Sequence, residues 1–164
     1  MEQLSNVNQV PANGDETKVS YETMQYIVIR LGEENYGIDI RYIDNIVRMQ
    51  HITRVPKVPA YLKGVINLRG EVIPVLSLRL KMGLDADEYG RATRIIILKQ
   101  DNDEGSTGVI VDEVKEVVTL RADEIEKVTK DAKSGKVYYI NGIGKNNGEL
   151  ISLLDLNTIT IEDN

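Results

Sequence analysis

Apolar and polar positions divide this chain into short extended runs separated by turns. From Met24 to Leu31 the residues are mostly apolar and β-branched, Gly32 to Asn35 have turn composition, and Tyr36 to Ile40 resume the apolar pattern. That spacing predicts a hairpin. Ile40, Ile43, Ile46 and Val47 then recur at helical spacing and predict a short amphipathic helix from about Ile40 to Ile46, with Arg41, Asp44 and Asn45 on its polar side. The stretch Val55-Pro56-Lys57-Val58-Pro59 is expected to run extended, since each proline fixes its own φ and pushes the preceding residue out of the α region. Beyond it, Tyr61 to Leu78 reads as a strand, a glycine turn, a second strand and a short helix near Leu78 to Met82.

That last unit occurs twice. Tyr61, Gly64, Gly70, Glu71, Ile73, Leu76 and Leu78 match Tyr139, Gly142, Gly148, Glu149, Ile151, Leu154 and Leu156 at one constant spacing of 78 positions. A repeat that keeps its glycines and its apolar beat without a gap marks one supersecondary unit used twice. Asn147-Gly148 is the dipeptide a type I′ hairpin favours, and Arg69-Gly70 takes its place in the first copy. Ser77 and Asp155 fall at matching positions, where each is suited to cap a helix. Upstream, Gly37, Ile38, Ile40, Ile43, Ile46 and Val47 match Gly108, Val109, Val111, Val114, Val117 and Val118 at a spacing of 71. The spacing grows because the link through Arg121, Asp123, Lys130 and Ser134 is longer. A strand from Thr93 to Lys99, a loop from Gln100 to Thr107 and a strand from Gly108 to Asp112 restate the opening hairpin.

Two halves are therefore expected, about 24–84 and 92–159, joined through Gly83 and the acidic loop Asp85 to Gly90. Residues 1–20 are polar, bury too little to repay ordering, and are expected to form a disordered tail. A half of about sixty residues buries only ~60% of its unfolded surface and is marginal alone. Two small β-barrels packed on a shared core solve that problem, and exchange of strands between halves is compatible with the pattern.

Composition sharpens the class. The chain has 164 residues, 41% hydrophobic, with eight Tyr and no Phe or Trp, so its apolar content is mainly aliphatic and favours strands. Its net charge of -6 repels phosphate backbones and anionic lipid. Without cysteine it has neither disulfides nor thiolate chemistry. The first residues lack the basic end and apolar run of a signal peptide, and the longest aliphatic run, Ile95 to Leu98, is far below the ~20 residues of a membrane helix. The expectation is a soluble cytoplasmic protein.

Candidate chemistry is sparse. His51 is the only histidine, which argues against a Ser-His pair and against a multi-histidine metal site. The carboxylates of 85–88, 101–104 and 123–126 sit in polar loops, the usual place for solvated charge. Gly142-Ile143-Gly144 has no third glycine at dinucleotide-binding spacing and reads as a hairpin arm. Ser134-Gly135 and Thr107-Gly108 lack the preceding aspartate of an aspartic protease. No catalytic, metal or cofactor set is expected. Arg69, at the first hairpin tip where the second has Asn147, reads either as a solvated turn residue or as a cation beside an interdomain groove.

At these residues the chain resembles a known family. YGIDIRYIDNIV, then VPAYLKGVINLRGEVIPVLSLRLKMGL, then GVIVDEVKEVVTL look like the bacterial chemotaxis coupling proteins of the CheW family, over about Met24 to Ile159. The resemblance implies a mainly β fold of two SH3-like five-stranded β-barrels with short helices. It also implies a non-enzymatic adaptor that ties the cytoplasmic tip of methyl-accepting chemotaxis receptors to the regulatory domain of a CheA-type histidine kinase. Carried over by position, its partner surfaces map to Ile43 and Asn45 in the first helix, Gly64 and Arg69 in the first hairpin, and Val114 and Val117 in the second half. Family members usually carry glutamate where this chain has Asn45, placed to pair with the arginine matching Arg69; Asn45 offers only a weaker, uncharged acceptor. The rival readings are a small barrel binding single-stranded nucleic acid, which the missing Phe and Trp and the acidic charge oppose, and a hydrolase built on two carboxylates.

Overall fold

The computed structural model describes residues 21–99, 105–128 and 135–160. The expected tail at 1–20, much of the loop after Lys99 and the middle of the later link, including Lys130 and Ser134, lie outside the described residues. Eleven strands are present among the described residues: β1 (Thr23–Leu31), β2 (Glu34–Asp39), β3 (Ile43–Arg48), β4 (Leu62–Leu68), β5 (Glu71–Ser77), β6 (Arg94–Lys99), β7 (Ser106–Val111), β8 (Glu113–Arg121), β9 (Glu126–Lys127), β10 (Ile140–Asn146) and β11 (Glu149–Leu154). Two short helices, α1 (Leu78–Lys81) and α2 (Leu156–Thr160), follow the two repeated hairpins.

The strands form two sheets, ordered β8-β1-β2-β11-β10-β9 and β3-β6-β7-β5-β4. Matched through the repeat, β1 corresponds to β6, β2 to β7, β3 to β8, β4 to β10 and β5 to β11, so the two orders are the same apart from β9. Each sheet takes its first hairpin from one half of the chain and the remaining strands from the other. The join is parallel in both: Gly37 on β2 lies opposite Leu153 on β11, and Gly108 on β7 lies opposite Val75 on β5. A Cβ at Gly37 would lie 2.8 Å from Leu153 Cδ2, and one at Gly108 2.8 Å from Ile95 Cγ2. These repeated glycines let two strands and a side chain share one space.

Burial explains the aliphatic runs. On β1, Tyr26 and Val28 face one core with Val118, Leu120, Ile151 and Leu153, while Ile27, Ile29 and Leu31 face a second. On β6, Ile95 and Ile97 join a core of their own sheet, and Ile96 and Leu98 turn to the one that β1 also faces. That shared core takes residues from both sheets and both helices' ends, including Tyr36, Ile38, Leu78, Met82, Val109 and Ile159. Strands buried on both faces need apolar residues at every position rather than at alternate ones. At ~1.5–3 kcal/mol per fully buried aliphatic side chain, these runs are the fold's main driving force.

Two local expectations are corrected. The segment expected as a helix from Ile40 to Ile46 is a single 3-10 turn over Ile40–Tyr42, followed by β3. Asp39 Oδ1 accepts from Arg41 N at 3.0 Å and caps that turn, but Ile43 is already extended, at φ -95° and ψ 122°. The apolar spacing that suggested a helix arises because β3 buries residues toward two cores, Ile43 and Ile46 toward the shared one and Val47 toward that of its own sheet. The stretch 55–59 is not extended throughout either: Lys57 has φ 60° and turns the chain. Proline restrains itself and the residue before it, and Lys57 is neither.

Candidate partner-binding surface

The repeated hairpins are built alike down to single bonds. Arg69 and Gly70 have φ of 55° and 83°, Asn147 and Gly148 51° and 84°, the two left-handed residues of a type I′ turn. Register shifts fall between Leu62 and Gly64 and between Ile140 and Gly142, at matching positions. Ser77 N donates to Tyr61 O at 2.7 Å, and Asp155 N to Tyr139 O at 2.8 Å. Ser77 Oγ then accepts from Leu80 N at 3.1 Å, and Asp155 Oδ1 from Asn157 N at 3.2 Å, so both capping residues act as such.

The six residues singled out by position fall on three elements. Ile43 and Asn45 lie on β3, an edge of the five-stranded sheet, and Val114 and Val117 lie on β8, an edge of the six-stranded one. Ile43 and Val114, matched through the repeat, both pack against the shared core, so the two edge strands border one apolar mass. Val117 is 50% exposed, although it pairs in register with the buried Ile27. Gly64 and Arg69 belong to the hairpin β4–β5, at the opposite edge of the β3 sheet in hydrogen-bonding order.

Gly64 has a structural reason of its own. Its φ is 144°, and a Cβ there would lie 2.1 Å from Thr53 O, because Thr53 and Val65 exchange backbone bonds of 2.8 and 2.9 Å across this point. Asn45 Oδ1 accepts from Ile46 N at 2.8 Å. Among the described residues Arg69 has no salt bridge, which leaves its guanidinium at an exposed tip.

A half-buried charge cluster, invisible to the sequence reading, pins the place where the chain crosses between sheets. Asp112, between β7 and β8, accepts from Arg79 Nε at 2.9 Å and Arg79 Nη2 at 2.6 Å, and from Gly32 N at 2.8 Å. These bonds, Arg79 foremost, hold its carboxyl below the usual carboxylate range. Arg30 adds a bond to Glu113 Oε1 at 2.9 Å. Asp87 hydrogen-bonds Ser77 Oγ, while its Oδ2 is buried without a partner, and burial pushes this carboxyl up. Both Asp112 oxygens are taken up by Arg79 and Gly32, so the cluster ties elements together. Among the described residues no group of three or more His, Asp or Glu side chains is arranged to hold a metal ion. No helix among them is long and apolar enough to cross a membrane.

Sequence reasoning passed over Val72 and Leu150. They are 62% and 61% exposed, and they stand 78 positions apart at the same place in the two hairpins. The repeat spacing itself was the available signal, since it pairs two apolar residues just after a turn glycine and a glutamate.

Comparison with known proteins gives the family. The family model for the CheW-like domain matches residues 25–163. A chemotaxis protein CheW of Helicobacter pylori is 35% identical over 151 residues, 92% of this chain and 89% of its own, and that of Bacillus subtilis is 36% identical over 133 residues, 81% and 84%. The crystal structure of the scaffolding protein TtCheW from Thermoanaerobacter tengcongensis matches with a TM-score of 0.76 at 30% identity, covering 85% of this chain and 94% of that one. With both sheets represented and the edge strands β3 and β8 inside the matched span, the chain belongs to the CheW-like domain family.

Proposed function

We propose that this chain is a non-enzymatic chemotaxis adaptor, coupling the cytoplasmic tip of chemoreceptors to the regulatory domain of a CheA-type histidine kinase. The observation that carries the reading is the family match across 25–163, which takes in both sheets except the first two residues of β1. The surface fits the role. β3 and β8 offer edge backbone beside one shared apolar core, with Val117 half exposed on β8, an arrangement suited to holding a partner helix by its apolar side. Arg69 stands at the exposed tip of a rigid turn, free of competing salt bridges among the described residues, and so able to meet a carboxylate or carbonyl of a partner. Gly64 contributes by shape, keeping β4 close beneath Thr53. Signal passes through docking geometry, with no bond made or broken in this chain.

The test is pull-down of a receptor cytoplasmic fragment and of a CheA-type kinase by wild type, Arg69→Glu and Val117→Glu. Each variant alters an exposed side chain and is expected to keep the wild-type melting temperature while losing affinity for at least one partner by about tenfold. Unchanged affinity for both partners removes that residue from the surface.

A further inference from the structure

Against a net charge of -6, residues 48–63 carry three basic side chains besides Arg48, namely Arg54, Lys57 and Lys63, together with His51, and contain no Asp or Glu. They line an open cleft of about 650 Å³ beside β4, with Met49, Ile52 and Leu62 among its apolar lining and Tyr89 also on it. Among the described residues Arg54, Lys57, Lys63 and His51 make no salt bridge, whereas Arg30, Arg41, Arg79 and Arg121 all do. Lys57 is held at φ 60° between Pro56 and the Val58-Pro59 pair, a left-handed conformation unfavourable for any residue with a Cβ.

The matching place in the other sheet differs. There the segment 122–127 lies against β10 as Thr53 lies against β4, Glu126 opposite Ile143 where Thr53 stands opposite Val65. A cleft of about 420 Å³ on that sheet, nearer the hairpin tip at residues 143–145, is lined by Glu124 and Glu126 as well as Arg121 and Lys145, and Arg121 is engaged by Asp123 and Glu124. We propose that the 48–63 cleft docks an acidic, extended peptide segment of a partner protein, its carboxylates on Arg54, Lys57 and Lys63 and its apolar side chains on the floor between them. The volume lies in the range of ligand clefts, and both charged and apolar side chains line it. Polynucleotide is the poorer fit, since Tyr89 is the only Phe, Tyr or Trp lining the cleft and bases would find a single stacking platform. This inference does not depend on which receptor or kinase the chain serves.

The experiment is fluorescence anisotropy on the full chain with three labelled probes: a ten-residue alternating Glu-Val peptide, its Lys-Val counterpart and a ten-nucleotide oligo-dT. The Glu-Val peptide should bind at low salt with micromolar affinity and weaken as salt is added. Arg54→Glu/Lys57→Glu/Lys63→Glu should lose at least about tenfold, and the matching triple Gln variant should lose less, each with an unchanged melting curve. No binding of the Glu-Val peptide, equal binding of the Lys-Val peptide, or affinity unaltered in both triple variants overturns the proposal. Tighter binding of oligo-dT, abolished by the same substitutions, also overturns it in favour of single-stranded nucleic acid.

Discussion

At the scale of single residues, the sharpest constraints are backbone ones. Gly148 has φ 84°, and a Cβ added there would meet nothing within 4 Å, so Gly148→Val is opposed only by its backbone conformation. A cost of about 1–3 kcal/mol is expected. Gly64 adds a collision to the strain, because its Cβ would enter the Thr53 carbonyl. Gly64→Ala should therefore lower the melting temperature further than Gly148→Val; equal or smaller loss would contradict the close approach of Thr53 to β4. Turn residues of this kind were legible in the sequence, as Asn147-Gly148 and Arg69-Gly70 announced their own conformation. Lys57 was not, because nothing in a lysine asks for a positive φ and neither nearby proline fixes its φ.

At the scale of elements, hairpins and caps followed from the repeat, and β3 did not. A strand bordering two cores places apolar residues at Ile43, Ile46 and Val47, and that spacing imitates a helix until the neighbouring β6 is in view. The cluster joining α1 to the β7–β8 crossing was equally hidden, since Arg79 and Asp112 lie 33 positions apart. Their side chains are only 18% and 14% exposed, so Arg79→Met leaves a half-buried carboxylate without its main partner and should cost about 2–4 kcal/mol. Chemical denaturation measures it, and a loss below about 0.5 kcal/mol would rank the pair with surface bridges. Asp87 titrates with the opposite sign to Asp112. Asp112, easier to ionise folded than unfolded, contributes stability above the ordinary carboxylate range of about 4, lost as pH falls through its lower folded pKa. Asp87, harder to ionise folded, favours the fold most below that range, and its contribution is lost as pH rises through its elevated pKa. Asp87→Asn keeps an acceptor for Ser77 without the buried charge, so it should raise the melting temperature at pH 7 relative to wild type and reduce the difference at pH 4. A uniform loss at both values would show that the carboxylate itself is needed.

At the scale of the whole molecule, duplication was readable and the allocation of strands was not, because pairing partners leave no mark on local periodicity. Each sheet combines β1–β2 or β6–β7 from one half with the later strands of the other. Residues 21–84 and 92–164 expressed separately should therefore each fail to melt cooperatively, and mixing them should restore a cooperative transition; independent folding of either would contradict the exchanged sheets. The same interleaving fixes β3 and β8 against one shared core, which is what gives an adaptor two edges held in fixed relation. That relation is the heart of the proposed coupling, and it is tested most directly by co-sedimenting the purified protein with a receptor cytoplasmic fragment and a CheA-type kinase while reading kinase activity. Recruitment of all three components with altered kinase activity, reduced for Arg69→Glu and Val117→Glu, is the expected result. Failure to recruit either partner, or recruitment that leaves kinase activity the same with and without this chain, would contradict it.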